Sequence, residues 1–165
     1  MPSKAFQECL LDVYHGEMAG EAAFEGMLAR ADDPLQRYVV GSLLQFETEG
    51  KAIMRPLLMR YGLSLRDNHE SMSGASAAAK QVNELPWVAR FATLGDMVRT
   101  NYLPRYVELS TLVSAEEDPE AARISLFMAS HERALVKLTE NVVAGVDDPA
   151  APVTALLHFP LPRPG

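Results

Sequence analysis

Apolar residues recur every three or four positions in four separate stretches of the chain. The first carries Phe6, Leu10, Val13, Phe24 and Leu28, with Glu17 and Glu21 on the same stripe. The second carries Val40, Leu43, Met54 and Leu58, interrupted by Glu47 and Gly50. Val88, Phe91, Val98, Tyr102, Leu109 and Leu112 mark the third, with Arg105 among them; Ile124, Phe127, Leu135, Leu138 and Val142 mark the fourth, with His131 in register. This spacing is that of amphipathic helices. Strict alternation is scarce and no Asn-Gly or Asp-Gly turn occurs, so the chain reads as all-α. Carboxylates and one imidazole on otherwise apolar stripes are the feature that calls for a chemical explanation.

Punctuation supports four helices. Asp33-Pro34 and Asp118-Pro119 open the second and fourth, since Asp caps the free N–H groups and proline lacks only an N–H that the first turn does not use. Gly62 and Gly145 close them. Pro104 falls inside the third, where a kink or a local opening is expected. Short joints near residues 31–34 and 116–121 make two antiparallel hairpins. Between the hairpins, residues 63–85 are rich in Ser, Ala, Asn and Gly. A helix of ~25 residues is ~38 Å long, and a linker of ~20 residues can run back along it. The expected architecture is a ferritin-like four-helix bundle over residues 1–146, with a long crossover between helices two and three. Residues 147–165 form a Pro-rich, irregular tail whose "ALLHFPLP" can pack on the bundle or on a partner.

Composition narrows the functional classes. The chain has 165 residues, a formal charge of −7 and a pI near 5.1. That balance argues against nucleic acid and against anionic membrane as partners. Charge-free apolar runs such as Tyr38 to Phe46 are well short of the roughly 20 residues a membrane helix needs. Cys9 is the one cysteine, so neither a disulfide framework nor a Cys-type zinc site forms within one chain. No apolar leader opens the sequence, and a cytoplasmic location is expected.

The stretch "DPLQRYVVGSLLQFE" parallels "DPEAARISLFMASHE", each ending in a Glu fourteen residues after the Asp. Glu47 and Glu132 thus hold equivalent places in two related hairpins. The same spacing sets Glu17 opposite Tyr102 and Glu21 opposite Tyr106. The helix order, the crossover and "AGE" (Ala19 to Glu21) followed by "AAFEGML" resemble the ferritin-like diiron-carboxylate superfamily. "AGE" is similar to the first ligand helix of demethoxyubiquinone hydroxylases. The resemblance covers roughly residues 5–145. It implies an inward Glu on helices one and three, and Glu-x-x-His on helices two and four. It also implies iron or another divalent transition metal as cofactor, an oxidoreductase acting on a small-molecule substrate, and a homodimer. The chain departs from that pattern: Glu47 is followed at the third position by Gly50, Glu132 by Leu135, and helix three offers tyrosines in place of a Glu.

The expected metal ligands are therefore Glu21, Glu47, His131 and Glu132, a donor set that suits iron, manganese or zinc. Glu17 is expected to serve as a further ligand or a base, and Tyr102 or Tyr106 to orient substrate or relay protons. Arg105 is expected either to bind a substrate anion or to pair with the carboxylates of helices one and two. A buried carboxylate needs a metal, a cation or a proton, so a metal-free descendant remains open: a small-molecule-binding protein or a non-redox acid/base enzyme. Glu25 and Glu49 are expected to face water, as are His15, His69 and His158. There is no Walker loop, dinucleotide fingerprint, nucleophile elbow or Cys-His pairing.

Overall fold

The computed structural model describes residues 2–66 and 68–165. Within them the chain is helical and contains no strand: α1 (Lys4–Leu28), α2 (Pro34–Arg60), α3 (His69–Asn83), α4 (Trp87–Asn101), α5 (Leu103–Leu109), α6 (Pro119–Ala144) and a single turn α7 (Ala151–Thr154). Among the described residues no helix is long and apolar enough to cross a membrane.

The caps are where the sequence places them. Asp33 Oδ1 accepts from the Gln36 N–H at 2.8 Å, and Asp118 Oδ1 accepts from the Ala121 N–H at 3.0 Å. Gly145 ends α6 with φ of 67°, in the left-handed region that glycine adopts without cost. The third helical stretch divides at Tyr102, whose φ/ψ of −116°/−55° separates α4 from α5. Pro104 lies in the first turn of α5, where its missing N–H is tolerated. The expected kink is thus a break with a new helix start.

The crossover differs from the expectation of a loop. It contains α3, a helix rich in Ser and Ala that packs against α1. The long helices form a ring: α1 touches α2 and α5, and α6 touches α2, α4 and α5. Helix α3 bridges α1 and α4, which do not touch each other directly. The tail is ordered and closes over the bundle. Leu157 and Val153 are buried, and α7 packs on α6 and α2. Glu49, expected in solvent, is instead buried beneath the tail. Its carboxylate accepts from the His158 N–H (2.7 Å) and the Phe159 N–H (2.9 Å), and meets His158 Nδ1 at 3.1 Å. These bonds hold the Glu49 pKa below the ordinary carboxylate value against the burial that would raise it. Glu49→Gln weakens both backbone bonds. We expect it to speed limited proteolysis at residues 155–165 several-fold; equal cleavage rates would show that the tail is held by Leu157 and Val153 alone.

The core has two apolar parts. One gathers Phe24, Tyr38, Leu43, Phe46, Phe91 and Leu135. The other gathers Phe6, Leu10, Tyr14, Met54, Leu109 and Met128. Along α1, α2 and α6 the residues between these parts include Glu17, Glu47, His131 and Glu132.

Candidate metal centre

Each of the three helices supplies its polar group at mid-length, where frayed ends and solvent are remote. Glu17 is 0%, His131 0%, Glu47 2% and Glu132 3% exposed. One ligand atom from each of Glu17, His131 and Glu132 lies within 4.8 Å of the other two, a separation that one metal ion can bridge. Glu47 lies close enough for its charge to act on Glu17's neighbourhood, since its own pKa is raised by Glu17 and Glu132.

Glycines make this approach possible. A Cβ on Gly50 would overlap Glu17 Oε2 and stand 3.1 Å from His131 Nε2. A Cβ on Gly20 would stand 2.5 Å from Glu47 Oε2, and one on Gly16 would stand 2.6 Å from the Tyr106 hydroxyl. Gly50 occupies the place where the resemblance implies a histidine, and the space it vacates is filled by groups from α1 and α6. The open helix surface beside Gly50 also exposes the Phe46 carbonyl one turn earlier, which lies 3.1 Å from His131 Nε2. A carbonyl only accepts, so this bond puts the ring proton on Nε2 and leaves the Nδ1 lone pair free. The ring is fixed by stacking on Phe46, with centroids 3.6 Å apart. The nitrogen nearest Glu17 is this same Nε2, so a metal taken there would displace the Phe46 bond and move the ring proton to Nδ1.

Tyr106 donates to Glu17 Oε1 at 2.7 Å. The other Glu17 oxygen lies 3.4 Å from His131 Nε2, but not in hydrogen-bonding geometry. Glu17 Oε2, Glu47 Oε1 and His131 Nδ1 are all buried and without a hydrogen-bond partner. Native interiors rarely leave such atoms unpaired, and two of them, Glu17 Oε2 and Glu47 Oε1, belong to neighbouring carboxyls of one site.

Electrostatics agree with the geometry. Burial raises the Glu17 pKa well above the carboxylate range; Glu132 raises it further, and Tyr106 and Lys51 oppose. Burial, then Glu17 and Glu132, do the same for Glu47. Burial pushes Glu132 to about 8 and pulls His131 down to about 4, against the Phe46 bond. In the metal-free cluster burial therefore favours the uncharged form of every one of these groups. Three carboxyls that ionise together only with a cation among them are what a divalent metal would satisfy.

Two expected site residues lie elsewhere. Glu21 is half-buried and pairs with Lys51, and it accepts from the Thr48 hydroxyl at 2.7 Å. It is one turn beyond Glu17, and the apolar stripe of α1 is narrow enough to leave it on the α2 side. Arg105 points outward: it donates to Asp12 Oδ2 at 2.6 Å and to Glu108 Oε2 at 2.7 Å. It neither faces the core carboxylates nor stands free for a substrate anion. Tyr106 and Tyr102 do reach the site. Tyr102 lines a cavity beside it, and burial followed by the charges of Glu132 and Glu47 raises its pKa. The helical α3 over the site and the Glu49 latch were missed. Ala75, Ala78, Ala79 and Val82 repeat at helical spacing, and that pattern was available to find α3.

No protein-family model matches the chain, and no curated protein or solved structure matches it.

Proposed function

We propose that the chain is a divergent ferritin-like bundle that holds one divalent transition metal on Glu17, Glu132 and His131, with Glu47 as a further ligand, and acts as a non-haem oxidoreductase on a small molecule. The observation that carries this reading is the buried Glu17–His131–Glu132 group and its unpaired donor atoms. The ring of α1, α2, α4–α5 and α6, with its crossover between α2 and α4, supports the ferritin-like part of the reading. Iron, when bound, supplies redox chemistry that no side chain here provides. The protein's own residues do the rest. Tyr106 orients the Glu17 carboxylate and holds a proton 2.7 Å from it. Phe46 fixes the ring of His131, and the apolar walls exclude water.

Metal content after anaerobic loading with Fe(II) and desalting tests this. Wild type is expected to keep about one equivalent. Glu132→Gln and Glu17→Gln are expected to lose at least tenfold in affinity, while Glu21→Gln keeps it because Glu21 belongs to the Lys51 pair. Loss in Glu21→Gln with retention in Glu132→Gln would refute the ligand set.

The alternative, a metal-free acid/base or binding protein of the same fold, draws on one observation. Burial holds Glu132 at a pKa of about 8, beside a cavity, which suits general acid or base work near neutral pH. Absence of metal in wild type, with Glu132→Gln still folded, would favour it.

A further inference from the structure

Two adjoining chambers lie beside the carboxylates. The inner one is enclosed by α1, α3, α4 and α6 and has a volume of about 80 Å³. Its walls are apolar, with Phe24, Met27, Val82 and Leu94 among them, and its polar groups are Glu47, Glu132, Tyr102 and Tyr106. The outer one, about 470 Å³, is more open and is lined by Asp12, His15, Asn68, Asn101 and Arg105. Both share Gly16, Ala19, Ala75, Tyr102 and Tyr106, so the two chambers meet at this rim.

We propose that this pair of chambers binds an amphipathic molecule with an uncharged polar end: a slender apolar chain enters the inner chamber and reaches the carboxylates, and the hydroxyl- or amide-like end stays in the outer chamber. This deepens the functional reading by naming its substrate class, though the binding itself does not need a metal. Size sets the shape. A cavity of about 150 Å³ holds benzene, so about 80 Å³ admits an unbranched chain of a few carbons and excludes rings. The walls set the polarity, because a charge would lose its hydration without a partner. An unpaired acceptor, Glu47 Oε1, is buried in the wall, so the chamber is built around a polar group as well as small side chains. The outer chamber sets the charge. Its cation, Arg105, is already bonded to Asp12 and Glu108, so an anionic end gains little there. Asn101 offers an uncharged amide there.

Isothermal calorimetry of metal-free protein with straight-chain 1-alkanols from ethanol to 1-octanol tests the proposal. Hexanoate and hexylammonium serve as charged counterparts and cyclohexanol as the ring. We expect the Kd to fall about fourfold per added methylene, as burial of each CH₂ predicts, and then to level off once the inner chamber is filled. Both charged probes and cyclohexanol should bind at least tenfold more weakly than 1-hexanol. Ala75→Leu, which narrows the rim, should weaken 1-hexanol at least tenfold while Fe(II) loading stays at wild-type level. Equal affinity for hexanoate, no chain-length trend, or unchanged binding in Ala75→Leu overturns the proposal. Because Fe(II) loading and alkanol binding are read separately, alkanol binding together with a failure of wild type to retain Fe(II) would overturn the metal reading alone. Metal retention without alkanol binding would overturn this one alone.

Discussion

Gly50→Ala is expected to destabilise the protein by about 1–3 kcal/mol, the range for overpacked interiors, and to abolish metal retention. An alanine in the middle of a helix ordinarily stabilises by roughly 0.5–1 kcal/mol over glycine. At Gly50 that gain is outweighed. The new methyl overlaps Glu17 Oε2 and crowds His131 Nε2. Glu17 is fully buried, so its carboxyl has no solvent to swing into, and moving it breaks the Tyr106 bond. Gly26→Ala is the control, since nothing lies within 4 Å of its Cβ position and it should follow the ordinary rule. Thermal melts of both variants, with Fe(II) content of each, decide the matter. A Gly50→Ala protein more stable than wild type and fully metal-loaded would show that the close approach of α1 and α6 to α2 is unimportant.

The melting temperature of the metal-free protein is expected to fall by roughly 5 °C or more between pH 6.5 and pH 8. A carboxyl whose folded pKa exceeds its unfolded one binds more protons when folded. Its contribution is complete below the unfolded value of 4.5 and is lost as pH climbs towards the folded value, about 8 for Glu132. From pH 6.5 to 8 this group alone removes on the order of 2 kcal/mol, and at ~2–4 °C per kcal/mol the drop follows. Glu17 and Glu47, raised by the same burial, add to it. His131 has the opposite sign: its pKa is lowered from 6.5 to about 4, so its contribution is complete above 6.5 and fades only in acid. It does not mask the effect in this window. Glu132→Gln should flatten the curve. Metal must displace these protons, so Fe(II) affinity should rise over the same range, and the loaded and metal-free melts should separate as pH increases. A metal-free melt independent of pH from 6.5 to 8 would mean that the carboxyls are already ionised and compensated.

Much of the helical layout was legible because it is written in local chemistry. Asp33, Asp118, Gly62 and Gly145 end helices by their own caps and dihedrals, whatever surrounds them. The inward Glu17, Glu47 and His131 could be picked out because each replaces an apolar residue at a fixed period, and Glu132 because the repeated Asp-Pro segment sets it in the place of Glu47. Glu21 could not be separated from Glu17 on that basis: one turn along the same stripe, only the position of Lys51 on α2 decides which of them is buried. Arg105 also shares a stripe with core residues, yet its long side chain leaves that stripe to reach Asp12 and Glu108. Glu49 is polar and off the stripe, and its burial is imposed by a tail more than a hundred residues away. The role of Gly50 was hidden for a related reason. A missing side chain shows in sequence as a lost histidine, whereas in the fold it is room for two other groups.

The break at Tyr102 has a mechanical consequence. Helix α4 belongs to one apolar part of the core and α5 to the other, and between them the chain has a joint instead of a continuous rod. The short α5, seven residues long, can therefore detach without levering α4 out of its seat, and it carries Tyr106 with it. Opening on that side would bring water to Glu17 while His131 stays stacked on Phe46. The bundle thus has a jointed flank at the polar layer, where amide protons of α5 are expected to exchange sooner than those of α4 or α6.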